Sequence, residues 1–205
     1  MTGKAASRGA GGAEGGTGRR RWAWRLVRNT ILWLIPAAAL WALLTPSYNR
    51  FLEVAGQNLV RLTESPDATR LLPRDDHYAA ISRLDLPPSR EVVGSLRVTD
   101  LHFPAILLLA LFLAVPDVPW KERLAALGLA LVVSAVFHVL LVLFWVKFTY
   151  ATQLGDWSMA RYGAFARNFW GLGKHLLDLP VKLALPFLLW AWFYLDRLLP
   201  RGEEA

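Results

Sequence analysis

The sequence predicts an all-α membrane protein, with four transmembrane helices and a small outer cap of amphipathic helices and two or three short strands. Of its 205 residues, 55% are hydrophobic and 19% are charged, which is too apolar for a water-soluble chain of this length. Several long apolar stretches are the second observation. The third is a basic amino terminus, because residues 1–28 hold seven Lys and Arg against one Glu.

The first elements are a tail and an anchor. Residues 1–21 are predicted to be a disordered basic tail, since residues 1–18 hold seven of the 15 Gly and few apolar side chains. Residues 22–45 form the first span, in which Arg28 is the only charge between Leu26 and Leu44. The apolar run continues past the small residues 37–39, so an uncleaved anchor is favoured over a secretory signal.

An outer segment, 46–100, follows. Six apolar residues recur there at helical spacing and predict an amphipathic helix along the outer interface: Tyr48, Phe51, Leu52, Ala55, Leu59 and Leu62. Three short stretches, 68–72, 77–84 and 91–98, predict two or three strands separated by proline-containing turns. The segment is too small for a core of its own, so we expect it to rest on the membrane helices or on a partner.

The remaining spans follow from apolar length. Residues 101–118 form the second span, 119–123 a cytoplasmic turn, and 124–145 the third span, whose 22 residues cover roughly 33 Å. Residues 180–199 form the fourth span, with Pro186 kinking it early, before a cytoplasmic tail at 200–205. The arginine-rich start is expected to keep both chain ends in the cytoplasm.

The second outer segment, 146–179, mixes aromatic and charged side chains. A helix from Asp156 through Trp170 is predicted, broken by glycines at 171 and 173. Such a helix would align four side chains along one face: Met159, Tyr162, Phe165 or Ala166, and Phe169. A helix lying on lipid or covering the bundle is the main interpretation, and a ligand or peptide groove is the alternative.

Candidate chemistry is sparse. The chain has no Cys, which excludes disulfides, a zinc-thiolate site and a cysteine nucleophile. Ser134 and His138 share a face of the third span, where a lone buried histidine is expected to bond an adjacent helix; proton relay or cofactor ligation is the alternative.

Other histidines and acids fall on the outer side by topology. They are an inventory for metal binding or acid–base chemistry, but none stands in a short motif, so we predict no catalytic, metal or cofactor-binding residue. This inventory comprises His77, His102 and His175 with Asp75, Asp76 and Asp100. The basic terminus is better explained as a topology signal than as a nucleic-acid site.

Two short runs carry a family resemblance: residues 45–50 (TPSYNR), at the outer end of the first span, and residues 98–104 (VTDLHFP), where the chain re-enters the bilayer. The arrangement, over roughly residues 22–199, resembles the exosortase-associated small membrane proteins, particularly those accompanying exosortase H in Gram-negative bacteria. The resemblance implies an inner-membrane accessory of a protein-sorting system. Its partner would be an exosortase-like enzyme or that enzyme's substrate. The exosortase itself resembles a cysteine transpeptidase, and without Cys this chain could only assist.

The functional hypothesis is therefore a non-catalytic accessory or scaffold that contacts membrane lipid and a membrane protein. Its candidate partner-contact residues are Tyr48, Phe51, Leu59, Tyr162, Phe165 and Phe169. The alternative is a membrane enzyme or carrier of a lipid-linked substrate, using outer His and Asp with Arg161, Arg167 and Lys174 to receive a phosphate. A subunit of a larger transport complex is a third interpretation.

Overall fold

The computed structural model describes residues 11–64, 67–87 and 91–197, and within these ranges it is mostly helical with one small sheet. The predicted features at 1–10 and 198–205 lie outside the described residues. The elements are α1 (Gly11–Arg61), β1 (Thr69–Pro73), β2 (Tyr78–Arg83), β3 (Val92–Arg97), α2 (Val98–His102), α3 (Ala105–Ala114), α4 (Trp120–Thr152), α5 (Asp156–Arg161), α6 (Ala164–Leu176), a π-helical turn (Leu177–Val181), α7 (Lys182–Tyr194) and a 3₁₀ turn (Leu195–Arg197).

Helix α1 corrects two predictions. It begins at Gly11, so the part of the predicted disordered tail from 11 to 21 is helical, although five of these eleven residues are Gly and the good helix formers are confined to Ala13, Glu14 and residues 19–21. It also runs through Pro46 to Arg61 without the expected separate interfacial helix. The reason is packing: Leu52, Gly56 and Val60, spaced by four, are buried, and Gly56 lies directly against Val142 of α4.

The predicted strands are confirmed as a three-stranded antiparallel sheet in the order β1-β2-β3. Leu71 of β1 pairs with Ile81 of β2, and Ile81 pairs with Gly94 of β3. Ile81 and Leu71 are buried against residues of α1 and α4 that include Tyr150. The sheet therefore rests on the long helices, as expected for a segment this small.

The second predicted span is shorter than the other apolar helices. Residues 98–114 are helical except for a break at Phe103-Pro104, and every residue from Leu108 to Ala114 is buried. Three helices are long and apolar enough to cross a membrane: Arg20–Arg61, Trp120–Thr152 and Ala164–Tyr194. Helix α3 is apolar on all sides, which is typical of a helix enclosed by others.

The carboxyl-terminal helices also differ from the prediction. The chain breaks at Tyr162-Gly163 instead of at Gly171, and the predicted single stripe from Met159 to Phe169 is divided between α5 and α6. No break precedes Pro180, because a π-helical turn absorbs the missing N–H and joins α6 to α7. Residues 164–179 of the predicted outer segment therefore share one helical run with the fourth span, whereas its first residues, 146–152, continue α4.

Two buried clusters organise the helices. One surrounds α3 and includes Phe112, which contacts the ring of Tyr194 edge-on at 5.6 Å between centroids. The other joins α1 and α4 to the sheet around Tyr150 and Ile81. The first cluster lies towards the start of α1 and the second towards the cap, here defined as residues 62–97 together with α5.

Candidate functional site

A charged pocket of about 380 Å³ lies where the cap meets α4 and α6. We call it the cap pocket. Its lining combines three cations and one carboxylate with three aromatic rings, a composition that sequence reasoning did not single out. The lining residues are Thr63, Glu64, Arg83, Lys147, Trp157, Arg161, Tyr162 and Trp170.

Arg83 stands at the centre of this pocket because the pleat of β2 turns it inward with Ile81. Its guanidinium donates from Nε and Nη2 to the two carboxylate oxygens of Asp85, both at 2.8 Å, and from Nη1 to Glu64 Oε1 at 3.0 Å. The guanidinium carbon also lies 4.6 Å from the ring centroids of both Tyr150 and Trp157. Arg83 is thus held in plane by two acids and stacked on two aromatic faces.

Glu64 links this cation to the first strand and to α4. Its Oε2 accepts from the Thr69 hydroxyl at 2.6 Å and from the Thr69 backbone N–H at 3.2 Å. The Lys147 ammonium lies 3.7 Å from Glu64 Oε1 and donates at 3.5 Å to the carbonyl of Thr63. The side chains of Glu64, Arg83 and Lys147 are all almost completely buried, so the two cations are stabilised by sharing the Glu64 carboxylate.

The pairing sets the titration of the two cap groups. The hydrogen bonds from Arg83 hold the pKa of the Asp85 carboxyl below its usual value, against the opposing effect of partial burial, and Arg161 adds to the lowering. Burial acts to lower the pKa of Arg83, but its hydrogen bond to Asp85 and the negative charge of Glu64 raise it overall. Both groups are therefore stabilised in their charged forms.

A second polar group lies deeper between the helices. The indole Nε1–H of Trp41 donates to His102 Nδ1 at 3.0 Å, and His102 Nε2 contacts Asn49 Oδ1 at 2.6 Å. Asn49 Nδ2 then donates to the carbonyl of Asp76 at 2.6 Å and to the Thr99 hydroxyl at 3.3 Å. Indole nitrogen is only a donor, so this chain assigns the ring proton of His102 to Nε2. We call Trp41, His102 and Asn49 the helix network.

His138, expected to stand alone, has two polar neighbours. The hydroxyl of Tyr48 lies 2.8 Å from His138 Nδ1, which confirms the expected bond to an adjacent helix. The rings of His138 and His102 are 6.4 Å apart between centroids, and Tyr48 packs edge-on against both. The prediction of no second titratable group at this depth is wrong, because α2 carries His102 inward.

The predicted outer inventory does not form one site, although the Thr99 hydroxyl contacts both His77 and Asn49 of the helix network. His102 is fully buried in the helix network, whereas His77 contacts Thr99 and His175 packs on Phe148. Asp75 accepts the backbone N–H groups of residues 77 and 78, which lower its pKa. Within the described ranges no three His, Asp or Glu are grouped as a metal site would require.

The three cations of the alternative hypothesis are also separated. Arg161 lines the cap pocket and stacks on Trp157 at 4.6 Å. Arg167 lines a different cavity, of about 780 Å³, between α4 and α6. Lys174 is buried over the ring of Trp145 at 3.8 Å and pairs with Asp178 at 3.4 Å. The two arginines therefore line different cavities, and Lys174 is already paired with an acid.

The candidate contact residues divide into two groups. Tyr162 lines the cap pocket, and Phe165 and Phe169 beside it on α6 are 84% and 49% exposed. Phe51 and Leu59 line an apolar cavity against α4, while Tyr48 bonds inward to His138.

Two signals could have revealed the cap pocket from the sequence. Arg83 occupies an inward position of a short alternating strand, two residues after Ile81, where only a paired cation is stable. Lys147 directly follows the long apolar run of the third predicted span. Their common partner Glu64 has no comparable local signal. It follows the end of α1 and meets Arg83 and Lys147 only once the tertiary structure has formed.

Fold and site together define a helical protein with three helices suited to a membrane and a small cap that encloses a charged, aromatic pocket. Comparison with known proteins found no matching family model, no similar curated protein and no similar solved structure.

Proposed function

We propose that this chain is a non-catalytic accessory protein of the bacterial inner membrane that crosses it four times. Low burial supports the membrane location, since only 17%, 39% and 11% of the most apolar windows of the three long helices are buried in the protein. Residues 98–114, in which α2 and α3 are separated by the turn at Phe103-Pro104, provide the remaining crossing, at roughly 25 Å for 17 residues.

Contacts at one end of the bundle support cytoplasmic termini. Arg25 pairs with Asp117, in the turn between α3 and α4, at 2.6 Å. Trp22 lies 6.5 Å from Trp190 of α7 between ring centroids. The basic start of α1, the α3–α4 turn and the end of α7 therefore share one end, and the positive-inside rule assigns it to the cytoplasm.

The cap pocket is the observation that carries the accessory role. Three cations and one carboxylate line it, and Asp85 reduces but does not cancel the positive excess. Arg161 is the half-exposed cation at its surface, and exposed Phe165 and Phe169 follow on α6. Such a surface suits an acidic side chain flanked by apolar residues on a membrane protein. The family resemblance makes an exosortase-type enzyme or its substrate the proposed partner.

Site-specific photo-crosslinking in the native membrane tests this proposal. A photoreactive phenylalanine at position 165 should capture a discrete protein partner. Arg161→Ala should lower its yield several-fold, because it removes the exposed cation while leaving Arg83 paired. Lys121→Ala, which changes an exposed cation at the opposite end, is the matched control and should leave the yield unchanged.

The proposal is wrong if position 165 captures lipid only, or if both variants reduce a protein crosslink equally. Exclusive capture of a lipid-linked molecule whose yield depends on Arg161 would instead support the alternative of a lipid-substrate enzyme or carrier.

A further inference from the structure

A separate cavity of about 320 Å³ lies between α1, α3 and α4, and we call it the α1–α4 cavity. It has no charged residue in its lining, in contrast to the cap pocket. Its lining residues are Trp41, Leu44, Ser47, Tyr48, Phe51, Ala105, Leu131, Ser134 and His138.

Two polar side chains in this lining are nearly buried and incompletely bonded. Ser134 is 4% exposed and His138 is 2% exposed. Among the described residues, none forms a hydrogen bond with the Ser134 hydroxyl, and His138 is bonded at Nδ1 alone, to Tyr48. Both side chains line the cavity with a polar atom that lacks a protein partner, so a bound molecule that supplies the missing hydrogen bonds is favoured.

The apolar surroundings indicate what accompanies this polar group. A second cavity of about 550 Å³, lined by apolar residues of α1 and α4, shares Phe51 with the first. Its lining is Phe51, Leu59, Val132, Ala135, Val136, Val139 and Leu140. A mostly apolar cavity with a few polar groups, beside a wholly apolar one, matches a molecule with one small polar head and an apolar chain.

We propose that the α1–α4 cavity binds an uncharged lipid alcohol. Its hydroxyl can donate one hydrogen bond and accept another, so it can satisfy both Ser134 and His138. Its chain passes Phe51 and lies against Val136 and Leu140. An anionic head is disfavoured because the lining offers no cation to balance it. This site is independent of the partner proposed for the cap.

Photolabelling of the full chain in phosphatidylcholine nanodiscs tests the site. The probe is a long-chain alcohol with a diazirine close to the hydroxyl, and the matched probe is the alkane with the diazirine at the same carbon. We expect the alcohol to label residues 47–51 and 131–138 about fivefold more than the alkane, the ratio that a single hydrogen bond provides.

Variants connect the labelling to the cavity. Ser134→Ala should lower alcohol labelling towards the alkane level, because only the bond to His138 remains, whereas Ser95→Ala, the same change on an exposed part of β3, should not. Ala105→Leu, which narrows the cavity, should lower alcohol labelling independently of Ser134. Equal labelling by alcohol and alkane in the unmodified protein, or alcohol labelling that Ser134→Ala leaves unchanged, would overturn the proposal.

Discussion

The cap pocket and the helix network solve the burial of polar groups in opposite ways. The cap pocket buries full charges, with Arg83 shared between Glu64 and Asp85. The helix network has no carboxylate or cation and connects Trp41, His102 and Asn49 by hydrogen bonds alone. The contrast follows from their positions. Charged side chains are buried at the cap, where oppositely charged partners are available, and the groups deeper between the helices are neutral and hydrogen-bonded to one another.

Of the two clusters, the cap pocket is the one that can respond to a ligand. In the helix network each bond fixes the next, from Trp41 through His102 to Asn49 and the cap carbonyl of Asp76. In the cap pocket, Arg161 reaches Asp85 at only 3.5 Å and remains half exposed. The network therefore acts as an anchor for the cap, and the pocket keeps a group that can exchange partners.

The largest effect is expected from breaking the charged cluster. Arg83→Met should destabilise the cap by about 3–5 kcal/mol, because it leaves Glu64 and Asp85 close together without their shared cation. Hydrogen exchange of the β2 amides in detergent micelles measures this loss. Arg70→Met, at an exposed position on β1, is the control and should change protection little. Unchanged protection in Arg83→Met would show that the cluster does not hold the cap.

The sequence predicted the sheet because its signals are local. Val92, Leu96 and Val98 alternate, and prolines separate the three strands. The same local reasoning placed a break at Gly171 that the structure does not have. Gly171 and Gly173 instead lie close to Phe148 and Phe144, so they serve the approach of α6 to α4. That contact joins distant parts of the chain and cannot be inferred from spacing.

The candidate site was harder to predict for the same reason. Ser134 and His138 were identified by their depth in an apolar helix, but His102 was assigned to the outer surface. A short helix carries it instead to Trp41, 61 residues earlier in the chain. Burial of a polar side chain depends on which partner reaches it, and partners from distant segments leave no mark in local sequence.

A smaller effect is expected from breaking the uncharged network. His102→Phe should destabilise the protein by about 2 kcal/mol, because the Trp41 N–H and the Asn49 carbonyl lose their partners while ring volume is kept. Thermal unfolding in micelles measures the total loss of stability. Amide hydrogen exchange at residues 75–79 should report loosening of the cap hairpin. His175→Phe changes an exposed ring and serves as control. Equal stability of both variants would contradict the anchoring role.

The smallest change is expected when acid neutralises the Asp85 carboxylate of the cap pocket's charged cluster. Arg83 holds the pKa of Asp85 below its usual value, so this stabilisation is present above the ordinary carboxyl pKa of roughly 3.9 and is lost as pH falls through the lower, folded-state value. The stability difference between the unmodified protein and Asp85→Asn should therefore stay constant from pH 7 to about 5 and narrow below about 4.

Chemical unfolding, followed by the fluorine signal of 5-fluorotryptophan at Trp157, measures this difference at each pH, since Trp157 stacks directly on Arg83. Asp67→Asn, at an exposed position, should give no comparable pH-dependent difference. Loss of Asp85 ionisation should therefore loosen the cap around Arg83 and Trp157. A difference that remained unchanged down to pH 2 would mean that the Asp85 charge adds nothing to cap stability beyond what an amide supplies.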